Sequence, residues 1–278
     1  MSNYFLNAAI KGVLEGLTEF LPVSSTGHLV LVRDFFPLTG SPLDVERLDD
    51  VFDIVIQFPA ILAIVILYWK RLWTAVSTAP QRPESRRFLI AIVLAFIPAA
   101  IAGVLLHHHI EKYLMFKKPI AIAFIIGGIV LILIERMAKP GAVQRGEDVS
   151  LPTALAIGCF QCFGMIPGTS RSGATIVGGR LANLNRAAAA EFSFFLAIPT
   201  IFGAFVYKMG VEQIIHPGKA SHINWDTDLS ILLIGSVASF VSAWIVVALF
   251  IKFLQKHSLA WFGWYRIILG LLVLYLIR

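Results

Sequence analysis

The sequence predicts an all-α polytopic membrane protein built as an inverted-topology repeat, each half a re-entrant helix pair followed by three transmembrane helices. Three observations predict it. Of the 278 residues, 58% are hydrophobic and only 14% charged, with a mean hydropathy of +0.80. A soluble chain of this length needs a polar surface that such a composition cannot supply. Several apolar runs approach the roughly 20 residues that cross a bilayer. Three local patterns recur in the same order about 140 to 145 residues further on.

The elements follow in chain order within a single membrane domain. The first repeat covers residues 1–140 and the second 150–278. Residues 5–33 read as a re-entrant pair, because EFLPVSSTGH breaks an apolar stretch with Pro22, Gly27 and three hydroxyl side chains. Spans are expected near 51–69, 88–106 and 120–136. Residues 151–183 read as the second re-entrant pair, broken by GMIPGTSRSGAT, with spans near 190–208, 229–253 and 264–277. Pro22 corresponds to Pro167, Pro59 in DIVIQFPAILA to Pro199 in FSFFLAIPTIFGA, and IIGGIVLILIER to IILGLLVLYLIR. If each interrupted segment leaves the membrane on the side it entered, each half crosses three times and the second half is inserted upside down. Broken backbone at membrane depth must be buried in protein or line a wet cavity. The two turns are therefore expected to meet near the midplane.

Loop charges set the expected orientation. The segment 70–87 carries Lys70, Arg71, Arg82, Arg86 and Arg87 and should be cytoplasmic. The acid-rich segment 33–50 then faces outside, as do both termini; Lys112, Lys117 and Lys118 weigh mildly against this. The first residues lack a basic n-region and a cleavage site, so no signal peptide is expected. The net charge of +6 is assigned to cytoplasmic loops, with no nucleic-acid partner. Cys159 and Cys162 in CFQC read as small buried packing residues rather than a redox pair. Gln57 and Gln161, inside apolar runs, read as cavity-lining or inter-helix hydrogen-bonding groups.

Polar groups in such a chain need a reason, since an ionisable side chain at the bilayer centre costs about 3 kcal/mol on insertion scales. Glu15 and Glu19 are four apart and share one helical face, where two carboxylates repel unless a cation or a proton lies between them. Arginine or a hard divalent metal would serve. Arg171 stands among Thr169, Ser170, Ser172 and Thr175. Its planar fork fits phosphate oxygens, and hydroxyls with Gly-rich backbone at a helix start add donors. PGTSRSGAT therefore reads as an anion cradle without the GK[ST] of a Walker A loop. Together the clusters suit metal-assisted phosphoryl chemistry on a partly lipidic substrate.

EGLTEFLPVSSTGH and PGTSRSGAT resemble the two signature motifs of the bacterial undecaprenyl-diphosphate phosphatases, the bacitracin-resistance family. GCFQC and EFSFFLAIPT look familial as well, and the resemblance runs along essentially the whole chain. It implies hydrolysis of undecaprenyl diphosphate to the monophosphate and inorganic phosphate, which recycles the lipid carrier of cell-wall synthesis. It also implies a multi-pass protein of the bacterial plasma (inner) membrane, a site opening to the outer, periplasmic side, a divalent cation (Mg²⁺ or Ca²⁺), and bacitracin resistance on overproduction. The motif residues carry over at Glu15, Glu19, Ser25, His28, Ser170, Arg171 and Thr175.

The resemblance leaves roles open. Ser25 is expected to attack the terminal phosphorus, with His28 or a carboxylate taking its proton, or water attacks directly while Ser25 donates a hydrogen bond. Ser24, Thr26, Gly168, Ser170, Ser172 and Thr175 are expected around the substrate, and Glu15 with Glu19 around the metal. The expected partners are an isoprenoid diphosphate and membrane lipid, and a homodimer is left open. A transporter or flippase of a lipid phosphate would use the same inverted-repeat site.

Overall fold

The computed structural model describes residues 4–39, 42–138, 141–211 and 225–277. The chain begins with α1 (Tyr4–Thr18) and α2 (Ser25–Val32). At 1.5 Å per residue these reach about 22 and 12 Å, short of the roughly 30 Å hydrocarbon layer. Between them Pro22 removes a backbone donor and restricts the residue before it. Ser24 then caps α2 from the left-handed region, at φ 70°, its hydroxyl accepting from the Gly27 N–H. The pattern returns with α7 (Leu151–Gln161), a 3₁₀ turn (Cys162–Met165) and α8 (Arg171–Leu181). Here Ser170 is the cap, at φ 76°, its hydroxyl accepting from the Gly173 N–H.

The remaining long helices are α3 (Pro42–Leu67), α5 (Pro83–Leu114), α6 (Lys117–Met137), α9 (Arg186–Val206), α10 (Trp225–Lys256) and α11 (Ala260–Leu276). Among the described residues, five segments are long and apolar enough to cross a bilayer: Leu48–Leu67, Pro83–Leu106, Lys117–Met137, Arg186–Gly210 and Asp228–Lys256. The chain is a multi-pass membrane protein. The last expected span is the 17-residue α11, shorter than these five. Two features depart from the sequence reading. The basic segment 70–87 is not a plain loop: it holds α4 (Trp69–Thr78), an amphipathic helix with Trp69, Trp73 and Val76 exposed. Cys159 is exposed and Cys162 half-buried, so the expectation of burial fails at Cys159, which points outward from α7.

The main core joins both halves. Phe20, at the first turn, packs edge-on against Phe194 of α9 at 5.5 Å between ring centroids. Ile64, Ala95, Ile176, Leu196, Val247 and Phe250 surround them. Elsewhere backbones touch through small residues, as helices in lipid require. A Cβ on Gly16 of α1 would lie 2.3 Å from the Ser239 carbonyl and 2.1 Å from Ser242 Oγ on α10. Gly16→Ala is therefore expected to destabilise the protein by about 1–3 kcal/mol through overpacking, seen as a lower midpoint of thermal unfolding in detergent. Val13→Ala, on the exposed face of the same helix, should shift stability by less than about 0.5 kcal/mol. Equal midpoints for the two variants would contradict the close contact.

Charges gather at the two ends of α3. Near its start Arg33 reaches Asp50 at 3.0 Å and Asp53 at 3.3 Å, and Lys11 is buried against Asp49. Beyond its other end Arg71 holds Glu147 at 2.5 Å and Glu191 at 2.7 Å. Burial alone would raise the Glu147 carboxyl, but the hydrogen bond and charge of Arg71, with Arg145, hold it below the ordinary carboxylate range.

Candidate active site

The two broken turns meet, and the site is the place where they meet. Glu19 continues the helical course of α1, its N–H donating to the Glu15 carbonyl at 2.8 Å. That stacks the two carboxylates on one face. Glu19 Oε1 accepts from Arg171 Nη2 at 2.8 Å, across 152 positions of sequence. Glu19 Oε2 accepts from Ser25 Oγ at 2.5 Å. The other arm of Arg171 donates to the Ser193 carbonyl at 3.0 Å, which fixes the plane of the guanidinium. One carboxylate thus bridges the hydroxyl of the first turn and the cation of the second.

These groups form the polar floor of a cavity of about 550 Å³. Glu19, Ser24, Ser25, Thr26, Ser170 and Arg171 line it, with Gln57 and Gln161. Its walls are apolar, supplied by Ile54, Phe96, Val104, Met165 and Ile201 among others. Gln161 also accepts from the Thr200 hydroxyl at 3.3 Å, so both sequence readings of that residue are realised. The N-termini of α2 and α8 open towards this floor and add the positive ends of their dipoles.

The other expected residues lie outside the cavity lining. Ser172 Oγ donates to the Leu21 carbonyl at 2.8 Å and so ties the second turn to the first. Thr175 Oγ1 donates to Ser193 Oγ at 2.7 Å, bracing α8 on α9. Gly168 has φ 89°, and a Cβ there would sit 2.6 Å from the Ile120 carbonyl, so only glycine fits this turn. His28 is engaged at both ring nitrogens, by the Ser24 carbonyl at 2.7 Å and by Tyr265 Oη at 2.6 Å. A carbonyl can only accept, so Nδ1 carries the proton and Nε2 accepts from the phenol. Neither nitrogen is left for Ser25.

Glu15 differs from all of these. It is fully buried, and neither carboxylate oxygen has a hydrogen-bond partner among the described residues. A buried carboxylate without a partner is costly, and the polar groups that act on it are the carboxylates of Glu19 and Asp53 and the hydroxyl of Ser25. An all-oxygen donor set of this sort fits a hard divalent cation completed by water and phosphate oxygens.

Sequence reasoning missed Tyr265 and Arg266. Both reach the turns from α11, and Arg266 is 1% exposed. The signal was present, because a lone arginine in an apolar helix is as anomalous as Arg171. Tyr207 and Lys208, which line the cavity from a π turn, carried no comparable signal.

Comparison with known proteins agrees with the motifs. Residues 8–272 match the family described as Bacitracin resistance protein BacA. The chain is 42% identical over 270 residues to an undecaprenyl-diphosphatase of Acidovorax ebreus, covering 97% of this chain and 93% of that protein. It is 43% identical over 276 residues to the undecaprenyl-diphosphatase of Paracoccus denitrificans, covering 99% and 97%. It is 44% identical over 269 residues to that of Nitrosospira multiformis, covering 97% and 93%.

Proposed function

The chain belongs to the Bacitracin resistance protein BacA family, and from that premise we propose that it hydrolyses undecaprenyl diphosphate to undecaprenyl phosphate and inorganic phosphate in the bacterial plasma membrane. The observation that carries the reading is the bridge Arg171–Glu19–Ser25 on the floor of an apolar-walled cavity. The floor matches a diphosphate and the walls match an isoprenoid. A carrier without hydrolysis has no support, since the matched relatives are named diphosphatases.

In the first step Ser25 Oγ attacks the terminal phosphorus while its proton passes to Glu19 Oε2, which already accepts that hydrogen bond. The new Oγ–P bond forms as the bond to the bridging oxygen breaks, and the lipid monophosphate leaves. Glu19 passes the serine proton to the departing lipid phosphate; water then attacks the phosphoserine, giving its proton to the freed carboxylate, which returns it to Ser25 Oγ as the Oγ–P bond breaks and phosphate is released. Arg171 exchanges its contact with Glu19 for the equatorial phosphate oxygens, joined by the Ser170 hydroxyl and the N–H groups opening α8. Glu19, rather than His28, is the proton acceptor in this scheme. His28 holds the Ser24 carbonyl and so fixes the start of the helix that carries the nucleophile. A divalent cation, Mg²⁺ or Ca²⁺, would be held by Glu15 and Glu19 and would supply charge neutralisation for the diphosphate.

The inverted repeat belongs to the same reading. Two features support it: the paired serine caps at φ 70° and 76°, each accepting from the glycine three residues on, and a reciprocal packing in which α1 lies on α10 as α7 lies on α5. Polarity along the helices supports an outward opening. The cavity is lined by the later part of α5, by residues 200–208 and by Ile54 and Gln57 in the middle of α3. All of these lie away from the Arg71 network. With the basic segment in the cytoplasm, the cavity opens to the periplasmic side.

Phosphate release by purified protein in detergent tests the mechanism. Ser25→Ala is expected to lower turnover by about 10³-fold or more, and brief incubation of wild type with terminally labelled substrate, quenched in acid, should leave label on Ser25. Near-wild-type turnover of Ser25→Ala would remove Ser25 as nucleophile and leave direct attack by water.

A further inference from the structure

Arg266 is a buried cation without a buried anion. It sits in the apolar helix α11, and no carboxylate pairs with it among the described residues. Backbone carbonyls meet its charge instead. Nη1 donates to the Pro22 carbonyl at 3.2 Å and the Thr169 carbonyl at 2.8 Å. Nη2 donates to the Gly168 carbonyl at 2.8 Å and the Ala123 carbonyl at 3.0 Å. Pro22 belongs to the first broken turn, and Gly168 and Thr169 to the second. These are the carbonyls that lose helical partners where the backbone breaks within the membrane. They precede the capping residues Ser24 and Ser170 by no more than two positions.

The surroundings shape the slot to the fork. A Cβ on Gly127 of α6 would lie 2.0 Å from Nη2, so the helix is bare where the guanidinium lies against it. The Phe124 ring covers the guanidinium at 5.9 Å to its centroid. Arg266 does not line the cavity, so it has no direct contact with substrate there.

The geometry points to Arg266 as a positioning residue of the hydrolytic site. One planar fork ties the turn that carries Ser25 to the turn that carries Arg171, so that nucleophile and anion holder meet the same phosphorus. The carboxylate bridge at the floor cannot do this through the reaction, because Glu19 must exchange its partners as substrate enters and the proton moves. Arg266 keeps the register from behind while the front contacts change. A lysine would bring the same charge but no fork, and one ammonium cannot span four carbonyls on three segments. Charge alone is thus separable from register.

The inference rests on the proposed hydrolysis and is tested with it. Wild type, Arg266→Lys and Gly127→Ala are compared in detergent for phosphate release from undecaprenyl diphosphate, for inhibition by orthovanadate and for thermal unfolding. Orthovanadate mimics the five-coordinate phosphorus and reports alignment of both turns, because a transition-state mimic weakens in step with the rate. Arg266→Lys is expected to lower kcat by about 10²-fold with KM changed less than about threefold, and to weaken vanadate inhibition in parallel. A folded Arg266→Lys with wild-type kcat and vanadate inhibition overturns the positioning role. If Arg266→Lys does not fold, Gly127→Ala decides. Its methyl group displaces Nη2 while the charge stays, and a kcat loss of about 10-fold with weaker vanadate inhibition is expected. Unchanged values for it overturn the role. No phosphate release from the wild type would instead overturn the hydrolysis reading itself.

Discussion

Arg171→Ala is expected to lower kcat/KM for undecaprenyl diphosphate by on the order of 10³-fold, the scale on which enzymes lose a cation aimed at a transferring phosphoryl group. Two structural facts support so large an effect. Of the cations that line the described cavity, Arg171 and Lys208, Arg171 is hydrogen-bonded to Glu19 beside Ser25. Its orientation is also set before substrate arrives, since Nη1 donates to the Ser193 carbonyl while Nη2 holds Glu19. The side chain therefore meets the phosphate without first losing rotamer freedom.

The same substitution carries a second effect of known sign. The Arg171–Glu19 pair is nearly buried, at 13% and 9% side-chain exposure. Removing one partner of a buried pair typically costs about 3–5 kcal/mol, because the other charge is left without compensation. Arg171→Ala should therefore unfold at lower temperature as well as turn over slowly. Arg171→Lys separates the two effects. It keeps a charge beside Glu19 and most of the stability, but cannot contact Ser193 and the phosphate with one rigid fork. Its turnover is expected to stay about 10²-fold below wild type. Full activity in Arg171→Lys would mean that charge alone, and not geometry, is what the second turn supplies.

Much of this site was legible because lipid makes polar groups conspicuous. Glu15, Glu19, Ser25 and Arg171 stood out against apolar neighbours, and Pro22 and Pro167 marked where the helices break. What stayed hidden was pairing over long sequence distances. That Glu19 and not His28 receives the Ser25 hydrogen bond depends on Tyr265, which lies 237 positions from His28 and occupies its Nε2. A three-residue spacing puts Ser25 and His28 on neighbouring parts of a turn, but it cannot say that the imidazole is already engaged. Arg266 escaped for a related reason: its partners are carbonyls, and carbonyls leave no mark in side-chain patterns. The amphipathic α4 was obscured by its charge, since a basic segment between spans reads first as a loop. The helices also run beyond the apolar segments that mark them in sequence, with α5 and α10 each reaching 32 residues.

Glu19→Gln is expected to reduce kcat by about 10³-fold or more and to lower the unfolding temperature, because the buried Arg171 guanidinium loses its carboxylate partner. The rate effect follows from the two acceptor oxygens of Glu19. A glutamine has one acceptor oxygen and one donor nitrogen. If the oxygen faces Arg171, the amide nitrogen faces Ser25 and cannot take its proton. If the oxygen faces Ser25, two donors confront each other at Arg171. In neither orientation is there a base at Ser25, and general-base assistance is worth about 10²–10⁴-fold by itself. The stability loss follows from Arg171, left without its charged partner, and is partly offset at Glu15, whose orphaned carboxylate no longer faces a second negative charge one turn away. Glu15→Gln provides the contrast. It leaves Ser25, Glu19 and Arg171 in place and removes only the unpartnered carboxylate. It is expected to keep a base at Ser25 but to need at least about 10-fold more Mg²⁺ or Ca²⁺ for half-maximal turnover, since each carboxylate that touches a hard cation contributes strongly to its affinity. A titration of phosphate release against divalent cation for both variants reads the two roles apart. If Glu19→Gln regained wild-type turnover at high cation concentration, Glu19 would be a metal ligand only and the base would lie elsewhere. If Glu15→Gln responded to cation as the wild type does, the buried, unpaired carboxylate beside the nucleophile would have no part in binding it.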